Sequence, residues 1–188
     1  QLDWLSTTMR EHLWHEREFL SPFCAIRANI LKLTRLESWG APAALLRKTG
    51  PALGIPITTD IATQTVLIRE FKPQTLLIYP SNLAALAQHC AAYDIVIPSL
   101  KKIITIGETS SPDTRTRAEI TFGADVADMY SSQEAGNIAL QCGQSDLYHV
   151  MAENLIVEMV DEHGLAAGEG KAGRVVLTDL NNFATPLI

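Results

Sequence analysis

Three short clusters in the middle of the chain carry residue types that could do chemistry. They are Tyr79-Pro80-Ser81, Gly107-Glu108-Thr109 and Tyr130-Ser131-Ser132-Gln133-Glu134. Each follows a short apolar run. Together they offer an aromatic face for a base, small hydroxyls for phosphate and carboxylates that could hold magnesium. That set suits a nucleotide. Taken singly, the same residues are ordinary turn and helix-cap types, and spacing alone favours that plainer reading.

Thr75–Tyr79 (TLLIY), Lys102–Ile106 (KIITI) and Val126–Tyr130 read as strands. Between the first two, Ser81 is expected to cap a helix over Asn82–Tyr93, with Leu83, Leu86, Ala87 and Cys90 on one face. Between the second and third, Ser111 followed by Pro112 is an N-cap with proline at the first helical position, and Gly123 is the stop. Strand, helix, strand, helix, strand at this spacing predicts a parallel βαβαβ sheet with right-handed crossovers. In such a sheet ligands bind beyond the carboxyl ends of the strands, where all three clusters would converge.

Upstream, residues 2–18 predict an amphipathic helix, with Leu2, Leu5, Met9 and Leu13 at helical spacing. Residues 23–33 are strand-like or mixed. Glycines and prolines at 40, 42, 50, 51, 54 and 56 predict a loop-rich stretch, and a helix over 60–71 is capped by Asp60. After Gly136 the pattern alternates, at 154–160 and 173–179, around the turn Asp161-Glu162-His163-Gly164. The fold class is therefore α/β. Residues 1–136 form an α/β subdomain bearing the nucleotide-site edge, and residues 137–188 form a small antiparallel β portion.

Bulk properties exclude several classes. The 188 residues are 47% apolar and 19% charged, enough to bury a globular core. Fifteen basic against twenty-one acidic residues give a net charge of −6 with no basic stripe, which argues against a nucleic-acid partner. Three scattered cysteines, Cys24, Cys90 and Cys142, fit a reducing compartment and not a disulfide framework. No apolar run spans a bilayer and no signal peptide is seen, so a cytoplasmic protein with no membrane partner is expected. His12 and His15 with Glu11 and Glu16 read as polar surface of the first helix. Arg115 and Arg117 read as a solvated helix face. Gly50-Pro51-x-x-Gly54 is too loose for a phosphate loop and reads as a turn.

A resemblance adds to these readings. Asp128-Met129-Tyr130-Ser131-Ser132-Gln133-Glu134-Ala135-Gly136 resembles the Tyr-Gly-x-(Thr/Ser)-Glu motif of the adenylate-forming (AMP-binding) superfamily. Cys142…His149, Ile156–Asp161, Gly168-Glu169…Gly173-Arg174 through Leu180, and Ala184-x-Pro186-Leu187-Ile188 follow in order. The series resembles the phenylacetate–CoA ligase branch, which includes capsule-biosynthesis-related proteins and deazaflavin-cofactor adenylyltransferases. Tyr79-Pro80-Ser81 and Ile106-Gly107-Glu108 match the same branch. The likeness covers most of residues 70–188 and is fainter before them.

The resemblance implies a part of an N-terminal ligase domain. It implies ATP and Mg²⁺ as requirements and CoA as a second substrate, acting on a small carboxylic acid, aryl or arylacetic. Tyr130 would stack on adenine and Asp128 would accept from its amino group. Gly107 and Glu108 would lie along the adenine and acyl pocket, with Tyr79 and Gly107 against the acid. Ser131, Ser132 and Gln133 would run beside the ATP, and Glu134 would hold Mg²⁺ as the catalytic carboxylate. Related ligases can carry a Cys/His cluster here, which makes Cys142 and His149, with six residues between them, candidate zinc ligands. Ser131 stands where the motif has glycine, and Gln133 where it has Thr or Ser. The sequence holds no Ser/Thr/Gly-rich phosphate loop with a lysine. It opens on Gln1 and closes on Thr185-Pro186-Leu187-Ile188, straight after strand-like sequence, as expected of a piece of a longer protein that is inactive alone. The alternatives are an adenylyltransferase moving AMP onto a deazaflavin-cofactor hydroxyl and a non-catalytic nucleotide-binding or assembly module. An exposed apolar surface able to support a homodimer is also expected.

Overall fold

The structure, a computed structural model, describes residues 2–182. The Ala184-x-Pro186-Leu187-Ile188 segment lies outside them. Within the described residues five helices and ten strands alternate in an α/β arrangement: α1 (Leu2–Trp14), β1 (Phe23–Arg27), β2 (Thr34–Leu36), α2 (Ala43–Leu46), β3 (Ala52–Pro56), α3 (Ile61–Phe71), β4 (Thr75–Ile78), α4 (Pro80–Ala92), β5 (Lys102–Ile106), α5 (Pro112–Phe122), β6 (Asp125–Ser132), β7 (Gly136–Gln141), β8 (Tyr148–Val150), β9 (Leu155–Val160) and β10 (Arg174–Asp179). Among the described residues the main sheet has eight strands in the order β2-β3-β1-β4-β5-β6-β7-β8, and β9 and β10 form a separate two-stranded sheet.

The core of the main sheet is parallel: β3, β1, β4, β5 and β6 run together, while β2, β7 and β8 are antiparallel additions. The chain leaves β1 toward β3 on one side and leaves β4 toward β5 on the other. The strand order therefore reverses between β1 and β4, which makes a crevice beyond their carboxyl ends.

Alternation along each strand sends successive side chains to opposite faces. Cys24, Ile26, Leu76, Ile78, Ile103 and Val126 face α3, α4 and α5 and are buried with Ile68, Leu86 and Phe122 in one cluster. The opposite face presents Phe23, Ala25, Leu77 and Ile104. Over part of it lie α1, α2 and an aromatic group in which Trp39 stacks on Phe19 at 5.5 Å and meets Phe23 at 5.0 Å. Asn137 Nδ2 donates to Thr7 Oγ1 (3.0 Å), and Arg10 pairs with Glu153, so α1 is tied to the strands after β6.

Local signals explain the helices on the first face. Asp60 accepts from Thr63 N and Ser111 Oγ accepts from Thr114 N, each an N-cap worth about 1 kcal/mol. Gly123, at φ +60°, ends α5 in the left-handed conformation. A reciprocal amide pair, Gln64 with Asn82, joins α3 to α4 in the buried layer.

Several expectations need correction. The first helix stops at Trp14, because Glu16 at φ 50° turns the chain and brings Arg17 back onto Glu11. The loop-rich stretch contains β3, whose five residues all pair with β1. Ser81 is not the cap of α4: Tyr79 holds the N-cap position and Pro80 the first helical one. The chain also does not leave the main sheet at Gly136, since β7 and β8 extend it. The turn at Asp161–Gly164 stands as read, with Asp161 Oδ1 accepting from His163 N and Leu165 N at 2.9 Å each.

Candidate functional site

The carboxyl ends of β1, β4, β5 and β6 border a cleft of ≈ 680 Å³ on the face shared with α1 and Trp39. Apolar side chains, Ala25, Leu77, Ile104 and Met129, make its floor, and Tyr79, Ile106 and Gly107 stand at its rim. The turn after β6 closes one side with Ser131, Ser132, Gln133 and Glu134. Six of the nine strand-end residues singled out from the sequence thus meet at one cleft: Tyr79, Gly107, Ser131, Ser132, Gln133 and Glu134.

Gly107 has a specific reason to be glycine. Its φ is +74°, and a Cβ there would lie 3.0 Å from the Tyr79 ring. The ring lies across the bare backbone, and its hydroxyl accepts from Ala28 N at 3.3 Å, so Tyr79 links the end of β4 to the segment after β1. A bulge between Tyr130 and Ser131 sets the direction of the turn. Ser132 Oγ then accepts from Ala135 N (3.0 Å) and tightens it. Glu134 is exposed, and no ion pair of the described residues includes it.

The other three residues point away from the cleft. Glu108 accepts from Ser81 N (2.8 Å) and Ser81 Oγ (2.9 Å), which places its negative charge at the N-terminus of α4. Asp128 accepts from Thr105 Oγ1 (2.5 Å) and Tyr148 Oη (2.7 Å) on the helix side of β6. Burial, then the Asp128 carboxylate, holds the Tyr148 phenol above its ordinary pKa. Each Asp128 oxygen keeps a second lone pair for a further donor. Tyr130 lies on that same side of β6 and is 44% exposed, which leaves its ring face open to a planar partner.

Residues the sequence reading set aside hold this edge in place. Arg115 is not a solvated face residue: its guanidinium donates to Val126 O, Asp146 and Gln141 Oε1. Gln141 Oε1 also accepts from Asp128 N (2.8 Å), so α5, β6 and β7 are locked together at Asp128. Glu11 and His12 are not surface residues either. Both are buried on α1 against Arg17, which pairs with Glu11. Burial, reinforced by Arg17, lowers the His12 pKa to about 4, although Glu11 opposes the shift. Arg27, the last residue of β1, also lines the cleft. The alternation of Phe23, Ala25 and Arg27 in the segment read as strand-like or mixed could have placed it there.

A second cavity of ≈ 790 Å³ lies beside α5, between the 14–17 turn and the β7–β8 loop. Its charged lining is largely self-satisfied, Arg115 with Asp146 and Lys102 with Asp125. Cys142 borders it. The Gln144 N–H, then His149 and Ser145, draw its thiol pKa down to about 7. Among the described residues no group of three or more His, Cys, Asp or Glu side chains could hold a metal, and Cys142 with His149 supplies only two of the four donors a structural zinc needs. No described helix is long and apolar enough to cross a membrane.

No family model and no curated protein matches the chain. Solved structures do. A 2-hydroxyisobutyryl-CoA ligase in an open conformation, in complex with 2-HIB-AMP and CoA, is 21% identical over 99% of this chain and 42% of its own, with a TM-score of 0.76. A benzoate CoA ligase from Burkholderia xenovorans LB400 is 13% identical over 96% of this chain and 39% of its own, with a TM-score of 0.68. An anthranilate CoA ligase in complex with anthranoyl-AMP is 16% identical over 95% of this chain and 35% of its own, with a TM-score of 0.65. This chain spans about two-fifths of the length of the first of these, and over that span it shares the fold of these CoA ligases.

Proposed function

We propose that this chain contributes the nucleotide edge and part of the acyl cleft of an ATP-dependent ligase. That ligase converts a carboxylic acid to an acyl-AMP and then to a CoA thioester. The observation that carries the reading is the division of the β5–β6 edge. Tyr130 and Asp128 lie on the helix side, while Tyr79, Gly107 and the Ser131–Glu134 turn lie on the cleft side. Adenine would stack on Tyr130, with its amino group donating to Asp128. The acid would lie in the cleft against Tyr79 and Gly107. The phosphate that joins them would pass the turn, where hydroxyls of Ser131 and Ser132 and the amide of Gln133 can donate. The aromatic and aliphatic lining, Phe23, Trp39, Leu77 and Ile104, suits an aryl or arylacetic acid.

In the first step a carboxylate oxygen bonds to the α-phosphorus and pyrophosphate leaves. In the second, a thiol sulfur bonds to the acyl carbon, AMP leaves, and the thiol proton passes to solvent. Glu134, exposed and outside the ion pairs of the described residues, is the carboxylate that would hold Mg²⁺, which offsets phosphate charge when bound. The residues at Cys142 and His149 do not by themselves fit a zinc ion. A second reading, nucleotide binding without turnover, is favoured by Ser131 and Gln133, which depart from the motif they resemble.

Two measurements test this. The chain is expected to bind a benzoyl sulfamoyl adenosine, a stable mimic of acyl-AMP, and Tyr130→Ala weakens that binding about 10-fold through lost stacking. In the protein that carries this chain, Glu134→Gln lowers acid-dependent ATP–pyrophosphate exchange by at least ~10²-fold, the scale of one lost charge-stabilising contact, with an unchanged melting temperature. Near wild-type exchange in that variant removes Glu134 from the reaction. Mimic binding without exchange in the unaltered protein selects the second reading.

A further inference from the structure

Among the described residues, the cleft lining contains one guanidinium, that of Arg27, that takes part in no ion pair. Arg27 ends β1 at the crevice where the strand order reverses, beside Tyr79 at the end of β4. It is partly buried and lines the cleft, and its Nε is buried without a hydrogen-bond partner among the described residues. No ion pair of the described residues includes it. Of the acidic residues on the cleft wall, Glu11 is committed to Arg17, and Glu134 stands across the cleft on the turn after β6. His12, also on the wall, is neutral at physiological pH. A buried donor left unpaired is costly, and a guanidinium facing a cavity is matched in shape and charge by a carboxylate.

Position decides which carboxylate. β1 and β6 are separated by β4 and β5, so three strand spacings put Arg27 about 14 Å along the sheet from the Ser131–Glu134 edge. A carboxylate reacting beside that edge is out of reach of Arg27, but the far end of the same molecule is not. The floor between, Leu77 and Ile104, is apolar. Resting on the ligase reading above, we propose that the acid this cleft takes carries a second anionic group, remote from the carboxylate that is activated, and that Arg27 holds it. Arg27 is then the residue that separates diacids from monoacids. The plain aryl monoacid is the poorer ligand.

The test uses terephthalate and its monoacid counterpart p-toluate, titrated into the chain by heteronuclear NMR, with AMP titrated separately. Terephthalate is expected to bind at least ~10-fold more tightly than p-toluate, the scale of one charge-assisted bidentate contact. The net charge of −6 would act against the dianion if no specific cation were involved. Arg27→Gln abolishes the preference and Arg27→Lys, which keeps the charge, retains part of it. Equal affinities in the unaltered chain, no saturable binding of terephthalate, or a preference that survives Arg27→Gln would each overturn the proposal. The unaltered chain decides alone if Arg27→Gln does not fold. AMP binding without a diacid preference sinks this inference and leaves the ligase reading standing. A diacid preference without AMP binding does the reverse.

Discussion

The two faces of the central sheet are built from the same strands and to opposite ends. On one, Cys24, Ile26, Leu76, Ile78 and Ile103 meet three helices and exclude water. On the other, their sequence neighbours Ala25, Arg27, Leu77 and Ile104 face a cleft. A period-two strand lets one sequence do both, because each residue along it answers to a different neighbour. The first face holds the fold together. The second carries Arg27, which no ion pair of the described residues includes.

Substitutions on the two faces should therefore separate. Ile103→Ala removes a fully buried side chain from the helix face and is expected to cost about 2–5 kcal/mol in urea unfolding. Leu77→Ala, one strand away on the cleft face, should cost about 1 kcal/mol or less, because that side chain is only partly buried. Equal costs would erase the distinction.

The cleft face also contains an acid-sensitive group. His12 has a folded-state pKa of about 4 against an ordinary 6.5, because its buried surroundings disfavour the charged ring. Between those values the unfolded chain takes up a proton that the folded chain refuses. Stability is then complete above about pH 6.5 and falls as pH drops toward 4, by up to about 3 kcal/mol. Thermal melts across this window should show the slope, and His12→Gln should flatten it. A smaller effect belongs to Gly107. Gly107→Ala places a Cβ against the Tyr79 ring at a strained φ, and is expected to cost about 1–2 kcal/mol and to displace the ring, read as a shift in its NMR signals.

How far the sequence reveals this comparison depends on whether a signal is local. Lys102–Ile106 and the Ser111-Pro112…Gly123 helix are readable because capping, proline and glycine act within a few residues, and the structure has them at those positions. β3 is not, because Gly54 and Pro56 look like loop residues and only pairing with β1 on one side and β2 on the other makes Ala52–Pro56 a strand. The buried Glu11, His12 and Arg17 group is hidden for a similar reason. A left-handed Glu16 folds Arg17 back, and two charges that look like surface become an internal pair. The ends of β4, β5 and β6, and so the residues that follow them, are readable from local patterns. The residues that support them, Arg115 and Gln141, act through contacts across 26 positions that no local pattern encodes.

We propose the edge beyond β5 and β6 as the nucleotide and acyl site. Its most direct test is a heteronuclear NMR titration of the chain with benzoyl sulfamoyl adenosine. Saturable shifts are expected at Gly107, Asp128, Tyr130 and Ser131–Glu134, continuing onto Leu77 and Tyr79, with α3 unmoved. Absence of saturable binding, or shifts gathered instead around Cys142 and Asp146 in the second cavity, would contradict it.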